Sequence, residues 1–274
     1  MRSARAVVSS LRTAGASRIA KRLLGVLAAT APTVARLKCS LPAPGGPPIV
    51  HVVGDSHVCF FSGIEPIAHP WPEPSEDRIG LFRTHWLGPA TAYNLPDLGT
   101  TVRAREKLLS VLAYGPVEPR GLVMLSFGEI DCRFHLLKQA ETQRREVDEL
   151  VRECVQRYSG VALEIQGFGF RPLVWNVVPS GQPRTSEETH SEFPHWGTVE
   201  ERNAVTRLFN DECAAALAAS GIPFVSIFDD LLGPDGLPLR DAYYMDAVHL
   251  SQKAMPLAEA AVLDALRHMN VDGI

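Results

Sequence analysis

Ile49-Val50-His51-Val52-Val53-Gly54-Asp55-Ser56-His57 begins as a β-branched apolar run and breaks off into Gly-Asp-Ser-His. A short run of this kind reads as a buried strand, and Gly-Asp-Ser as the turn that leaves it. Outward from this stretch, further strand-like runs recur at Leu81–Leu87, Leu122–Phe127, Pro172–Val178 and Pro223–Ile227. Between them, helical apolar spacing covers Val102–Leu112, Arg133–Tyr158, Thr198–Ala219 and Leu257–Met269. The third of these opens on the Thr198-x-x-Glu201 capping-box pattern. Strands that alternate with helices predict a three-layer α/β/α domain around a five-stranded parallel sheet covered on both faces.

The composition sets the outer bounds. Of 274 residues, 46% are hydrophobic and 21% charged, which excludes a disordered chain, a collagen-like chain and a long coiled coil. The longest apolar run, Leu23–Ala35, contains Gly25 and Pro32 and falls short of the roughly 18 residues a bilayer span requires. Five cysteines (Cys39, Cys59, Cys132, Cys154, Cys213) are odd in number and form no CxxC pair, against a zinc knuckle or a thioredoxin-like site. No Asn-x-Ser/Thr sequon occurs, so a reducing compartment with free thiols is the expectation.

Charge divides the chain. All eight charged residues before Asp55 are basic, which leaves 19 basic residues against 31 acidic ones in the remainder. An acidic body argues against a nucleic-acid partner. Residues 1–48 are rich in Arg, Ser and Ala and end in Pro42-Ala43-Pro44-Gly45-Gly46-Pro47-Pro48. That composition reads as an organellar transit peptide or as a basic arm for a membrane surface or a protein partner. The folded domain is expected over residues 49–274.

Ligands of such a sheet sit beyond the carboxyl ends of its strands. Three polar clusters fall there: Gly54-Asp55-Ser56-His57, Gly128-Glu129-Ile130-Asp131-Cys132-Arg133 and Asp246-Ala247-Val248-His249. A serine on the first turn, a distant histidine as base and an aspartate three residues before it make up the logic of acyl transfer.

This combination resembles the SGNH/GDSL hydrolase superfamily from about Ile49 to the C-terminus. The resemblance implies a flavodoxin-like fold, Ser56 as nucleophile, His249 as base and acid, Asp246 as orienter, and no metal or organic cofactor. It also implies an oxyanion hole built from the Ser56 N–H, a glycine after the second strand and a polar side chain after the third. Gly88 matches the glycine best and Gly99 second. Ile130 stands where the family pattern has Asn, so either another donor such as Asn94 or Arg133 replaces it or the chain is a poor hydrolase. Gly128-Glu129-Ile130-Asp131 looks like the form found in some sugar O-acetylesterases, and the whole pattern like a bacterial subgroup associated with polysaccharides. Glu129 and Asp131 therefore join Gly88, Asn94 and Arg133 as candidate oxyanion or substrate contacts. The implied partner is a small-molecule or glycan acyl ester.

Each residue also has a plainer reading. Gly-Asp-Ser is common turn chemistry, and Asp246 with His249 suits an Asx turn capped by Ser251. Asp131 and Arg133 suit a structural ion pair, His51, His57 and His135 suit hydrogen-bonded structural roles, and Cys132 suits an inert thiol. Trp71, in a Pro-rich loop, is a candidate cleft residue. Asp55-Ser56-His57 also has the D-x-H opening of metallophosphoesterases, but their later metal blocks are missing. Three functions follow on this reading: an ester hydrolase, an acyltransferase on the same triad, and a non-catalytic binding or assembly subunit.

Overall fold

The computed structural model describes residues 48–65, 70–73, 75–115, 117–182 and 194–271. The expected basic leader therefore lies, except for its last residue, outside the described residues. Five strands form the sheet: β1 (Val50–Gly54), β2 (Phe82–Trp86), β3 (Leu122–Ser126), β4 (Arg171–Trp175) and β5 (Phe224–Val225). They are parallel and ordered β2-β1-β3-β4-β5, the order of a flavodoxin-like sheet. The main helices are α1 (Ala104–Tyr114), α2 (Leu136–Gln143), α3 (Val147–Gly167), α4 (Val199–Ala218) and α5 (Met255–His268). No described helix is long and apolar enough to cross a membrane.

Side chains alternate across a strand, so one sheet feeds two cores. Val53, Val123, Leu125 and Val174 face a core shared with Leu108 of α1, Val151 and Ile165 of α3, and Phe209 of α4. Val52, Met124, Leu173 and Trp175 face the opposite core, with Phe61 and with Ala258 and Val262 of α5. The capping box at α4 forms as expected: Thr198 Oγ1 accepts from Glu201 N at 3.1 Å and Glu201 Oε2 accepts from Thr198 N at 2.7 Å.

Three elements differ from the sequence reading, the two strands among them because a side chain takes over a ladder bond. The single helix expected over Arg133–Tyr158 is a π-helical turn (Asp131–His135), then α2, then α3, with Arg144 between the last two at φ 53°. β4 ends at Trp175 because Asn210 of α4 takes over: its Oδ1 accepts from Val177 N at 2.9 Å and its Nδ2 donates to Val177 O at 2.9 Å. β5 shortens to two residues because Ile227 N donates to the Asn176 side chain at 3.0 Å rather than to a strand. Trp71 is not a cleft residue; it is buried, edge-on to His85 with ring centroids 5.6 Å apart.

His51 and His85 meet on β1 and β2 with Nδ1 and Nε2 3.0 Å apart, both buried. Burial, then the Arg83 charge, lowers His51 to about 4. Burial, then His51, lowers His85 to about 3. A histidine held neutral in the fold binds its proton more weakly there than in the unfolded chain. Its contribution is therefore complete above pH 6.5 and is lost as pH falls towards 4. For His51 alone this amounts to roughly 3 kcal/mol. Urea unfolding at pH 7 and pH 4.5 is expected to show the loss, and a His51→Leu/His85→Leu double variant to reduce it. Equal slopes in the two proteins would contradict the assignment.

Candidate active site

β1 ends between its neighbours: Leu87 N donates to Gly54 O at 2.8 Å and Asp55 N to Ser126 O at 3.2 Å. The chain then turns into a 3-10 helix, Ser56–Ser62, whose N-cap is Asp55; its Oδ1 accepts from His57 N at 3.0 Å. Asp55 is thus a cap, and Ser56, half-buried, is the first residue of the turn.

Across the site, Asp246 opens an Asx turn, with Oδ1 accepting from Val248 N and His249 N at 2.6 Å each. The same turn leaves Oδ2 against His249 Nδ1 at 2.8 Å, and His249 Nε2 lies 2.8 Å from Ser56 Oγ. The plain reading of Asp246 as an Asx turn and its reading as an orienter are therefore one arrangement. With the Nδ1 proton held by the carboxylate, Nε2 presents its lone pair to the serine hydroxyl. The loop is docked by Gly181 N, which donates to Ala247 O at 3.0 Å, and by Tyr244 Oη, which donates to Pro179 O at 2.7 Å. Burial pushes Asp246 up, but the hydrogen bond and charge of His249 and the two backbone donors prevail and hold it at about 2.

The cluster after β3 packs behind this line. Arg133 does not pair with Asp131 as the sequence suggested; its Nε donates to Glu129 Oε1 at 2.6 Å, with both side chains buried. Burial opposes the Glu129 charge, yet Arg133 and His57 hold the carboxyl at about 2. Arg133 also donates to Pro194 O and accepts Trp196 N at its own carbonyl, so it ties the α4 approach to the site. Asp131 points the other way and accepts from Ala92 N at 2.7 Å and Tyr93 N at 3.2 Å. Burial raises it to about 6 against those two donors. Asp131 is therefore a clamp on the loop after β2, the loop that carries Gly88.

Gly88 directly follows Leu87, whose N–H is bonded to the end of β1, and sits at φ +100°, a conformation that favours glycine. Gly99, the second choice, has its N–H committed to Glu106 Oε1 at 2.9 Å. Asn94 is exposed on the Asp131-clamped loop, its N–H bonded to Thr91 Oγ1 at 3.3 Å. Cys132 is fully buried, and burial followed by Asp131 and Glu129 drives its thiol well above the usual range. It is an unreactive thiol.

His57, read from the sequence as a structural histidine, lies beside the line from Asp246 to Ser56. Its ring is buried and lies tilted against His249, with centroids 4.9 Å apart and planes inclined by 32°. Its Nε2 has no hydrogen-bond partner and faces Glu129 Oε2 at 3.6 Å. Beside it, Asp55, Glu129 and Asn176 help to line a cavity of about 10 Å³. Among the described residues, no group of three or more His, Cys, Asp or Glu side chains could hold a metal ion.

No family model and no curated protein matches the sequence. Solved structures do match. A Bacteroides fragilis protein described as an acylhydrolase superposes with a TM-score of 0.52 at 14% identity, over 85% of this chain and 92% of its own. A GDSL-like lipase of Bacteroides thetaiotaomicron gives 0.49 at 16% identity, over 91% and 97%. A carbohydrate acetylesterase of Sinorhizobium meliloti gives 0.48 at 16% identity, over 81% and 100%. At such identities the likeness is one of fold. The chain shares its α/β/α fold, with a five-stranded parallel sheet, with the Bacteroides fragilis protein.

Proposed function

We propose that the chain is a serine esterase that cleaves an O-acyl ester, with O-acetyl esters of carbohydrates as the first substrates to test. The observation that carries this reading is the unbroken line from Asp246 Oδ2 to His249 Nδ1 and from Nε2 to Ser56 Oγ, 2.8 Å at each step. Ser56 Oγ attacks the acyl carbon while His249 Nε2 takes its proton, and Asp246 steadies the imidazolium. The Ser56 and Gly88 N–H groups face the oxyanion. The alcohol leaves with the proton from His249, and a water activated by the same imidazole releases the acyl group from Ser56. Transfer of the acyl group to a second hydroxyl would use the same residues. Ile130, apolar where the family pattern has Asn, favours a hole of two donors and hence a slower hydrolase or a non-catalytic subunit; one missing donor costs about 10²–10³ in rate.

Intact-mass analysis of the full chain after a fluorophosphonate probe tests the reading. A single adduct is expected on the wild type and none on Ser56→Ala. Release of acetate from acetylated sugars, with and without a sugar acceptor, separates hydrolysis from transfer. A folded wild type that takes no adduct would overturn the esterase in favour of a binding or assembly subunit.

A further inference from the structure

We propose that Lys107 is a positioning residue for the oxyanion donor: its ammonium holds the carbonyl of the Leu87–Gly88 peptide and so keeps Gly88 N–H turned to the oxyanion of the acyl intermediate. The inference deepens the esterase reading and rests on it for its catalytic meaning, while the anchor itself can be read from the Gly88 amide without any turnover.

Lys107 Nζ donates to Leu87 O at 2.6 Å, a charge-assisted bond. Leu87 O and Gly88 N–H belong to one planar trans peptide, so a group that fixes the oxygen also fixes the opposed N–H. Backbone bonds hold the turn on either side of that peptide: Leu87 N donates to Gly54 O at 2.8 Å and Ala90 N to Gly88 O at 2.7 Å. Of the N–H and C=O groups of Leu87 and Gly88, only Gly88 N–H has no bonded partner among the described residues. The entry to α1 closes over this glycine, since a Cβ there would stand 3.2 Å from Val102 Cγ1 and 3.6 Å from Lys107 Nζ.

The charge of Lys107 bears on the same point. The residue lies in the first turn of α1, where a cation opposes the helix dipole. Among the described residues no carboxylate pairs with it, so its charge stays uncompensated beside the Leu87–Gly88 peptide. A hydrogen bond on the carbonyl polarises the N–H at the other end of the amide. The positive charge favours the negative oxygen that develops in the transition state. Ile130 supplies no side-chain donor after β3, and the hole depends the more on its two N–H groups.

Loss of a whole donor costs about 10²–10³ in rate, and a donor left in place but unheld and unpolarised is expected to cost about tenfold. The test compares the full chain with Lys107→Met, which keeps the aliphatic stem without the donor, and with Lys107→Arg, which restores a cationic donor. All are checked for folding by thermal unfolding. In NMR spectra the Gly88 amide nitrogen is expected to move upfield in Lys107→Met and back in Lys107→Arg, with Gly181 on the β4 side as the unmoved reference. With 4-nitrophenyl acetate, kcat is expected to fall about tenfold in Lys107→Met with KM within about twofold, and to recover in Lys107→Arg. A Gly88 amide unmoved in folded Lys107→Met overturns the inference, as does a moved amide with kcat unchanged, and in both cases a Ser56 adduct leaves the esterase standing. A moved amide on a chain that takes no adduct supports the anchor and overturns the esterase.

Discussion

Asp246→Asn is expected to lower kcat/KM for ester cleavage by about 10⁴ while the chain remains folded. The size follows from which oxygen does what. Asp246 Oδ1 already accepts two backbone N–H groups at 2.6 Å, and only an acceptor can stay there. In the asparagine variant the amide oxygen takes that place and the NH₂ group is left facing His249 Nδ1, where the carboxylate oxygen stood at 2.8 Å. A donor at that point forces the imidazole to carry its proton on Nε2, aimed at Ser56 Oγ, and the base is lost without any change of shape. The cost to the fold is smaller. A carboxyl lowered from 3.8 to about 2 stabilises the folded chain above pH 4 and loses that contribution as pH falls towards 2, up to about 2 kcal/mol. Steady-state kinetics on an acetyl ester, beside unfolding curves at pH 7, separate the two effects. A loss below tenfold would show that Asp246 is only the turn-former.

That double use of one carboxylate explains why this part of the site was legible in the sequence. Ser56, Asp246 and His249 each sit at a strand end or a local turn, and local patterns report on local geometry. The five strands and the α4 cap were legible for the same reason. The pairing of Glu129 with Arg133 was also within reach, since residues four apart share a helical face whereas Asp131 and Arg133, two apart, point to different sides. What could not be read is what depends on distant partners. Asn176 and Asn210 end two strands by side-chain bonds to other elements, and Asp131 finds its donors 38 and 39 positions away at Tyr93 and Ala92. The break at Arg144 carries no glycine or proline to announce it. The contact between the rings of His57 and His249, 192 residues apart, follows from no spacing rule either.

Gly54→Ala is expected to destabilise the fold by about 3 kcal/mol or more, close to 10 °C in Tm for a domain of this size, and to remove labelling of Ser56 together with it. A Cβ at position 54 would stand 2.0 Å from Ser126 O and 2.7 Å from the Val58 side chain. The first of these neighbours is backbone of the adjacent strand, which no rotamer change relieves. β1 and β3 would have to part by more than an ångström, and the 3.2 Å bond from Asp55 N to Ser126 O would be the first lost. That bond fixes the residue immediately before Ser56 to the strand that leads into Glu129. Parting the strands therefore moves Ser56 away from His249, which is held independently by the Gly181 and Tyr244 contacts on the β4 side. Fold and chemistry thus depend on the same missing methyl group. Urea unfolding with parallel fluorophosphonate labelling measures both, and a stability within 1 kcal/mol of wild type would show that β1 and β3 separate at little cost. If stability fell while labelling persisted in the folded fraction, the serine would be positioned by the 3-10 turn and its Asp55 cap alone.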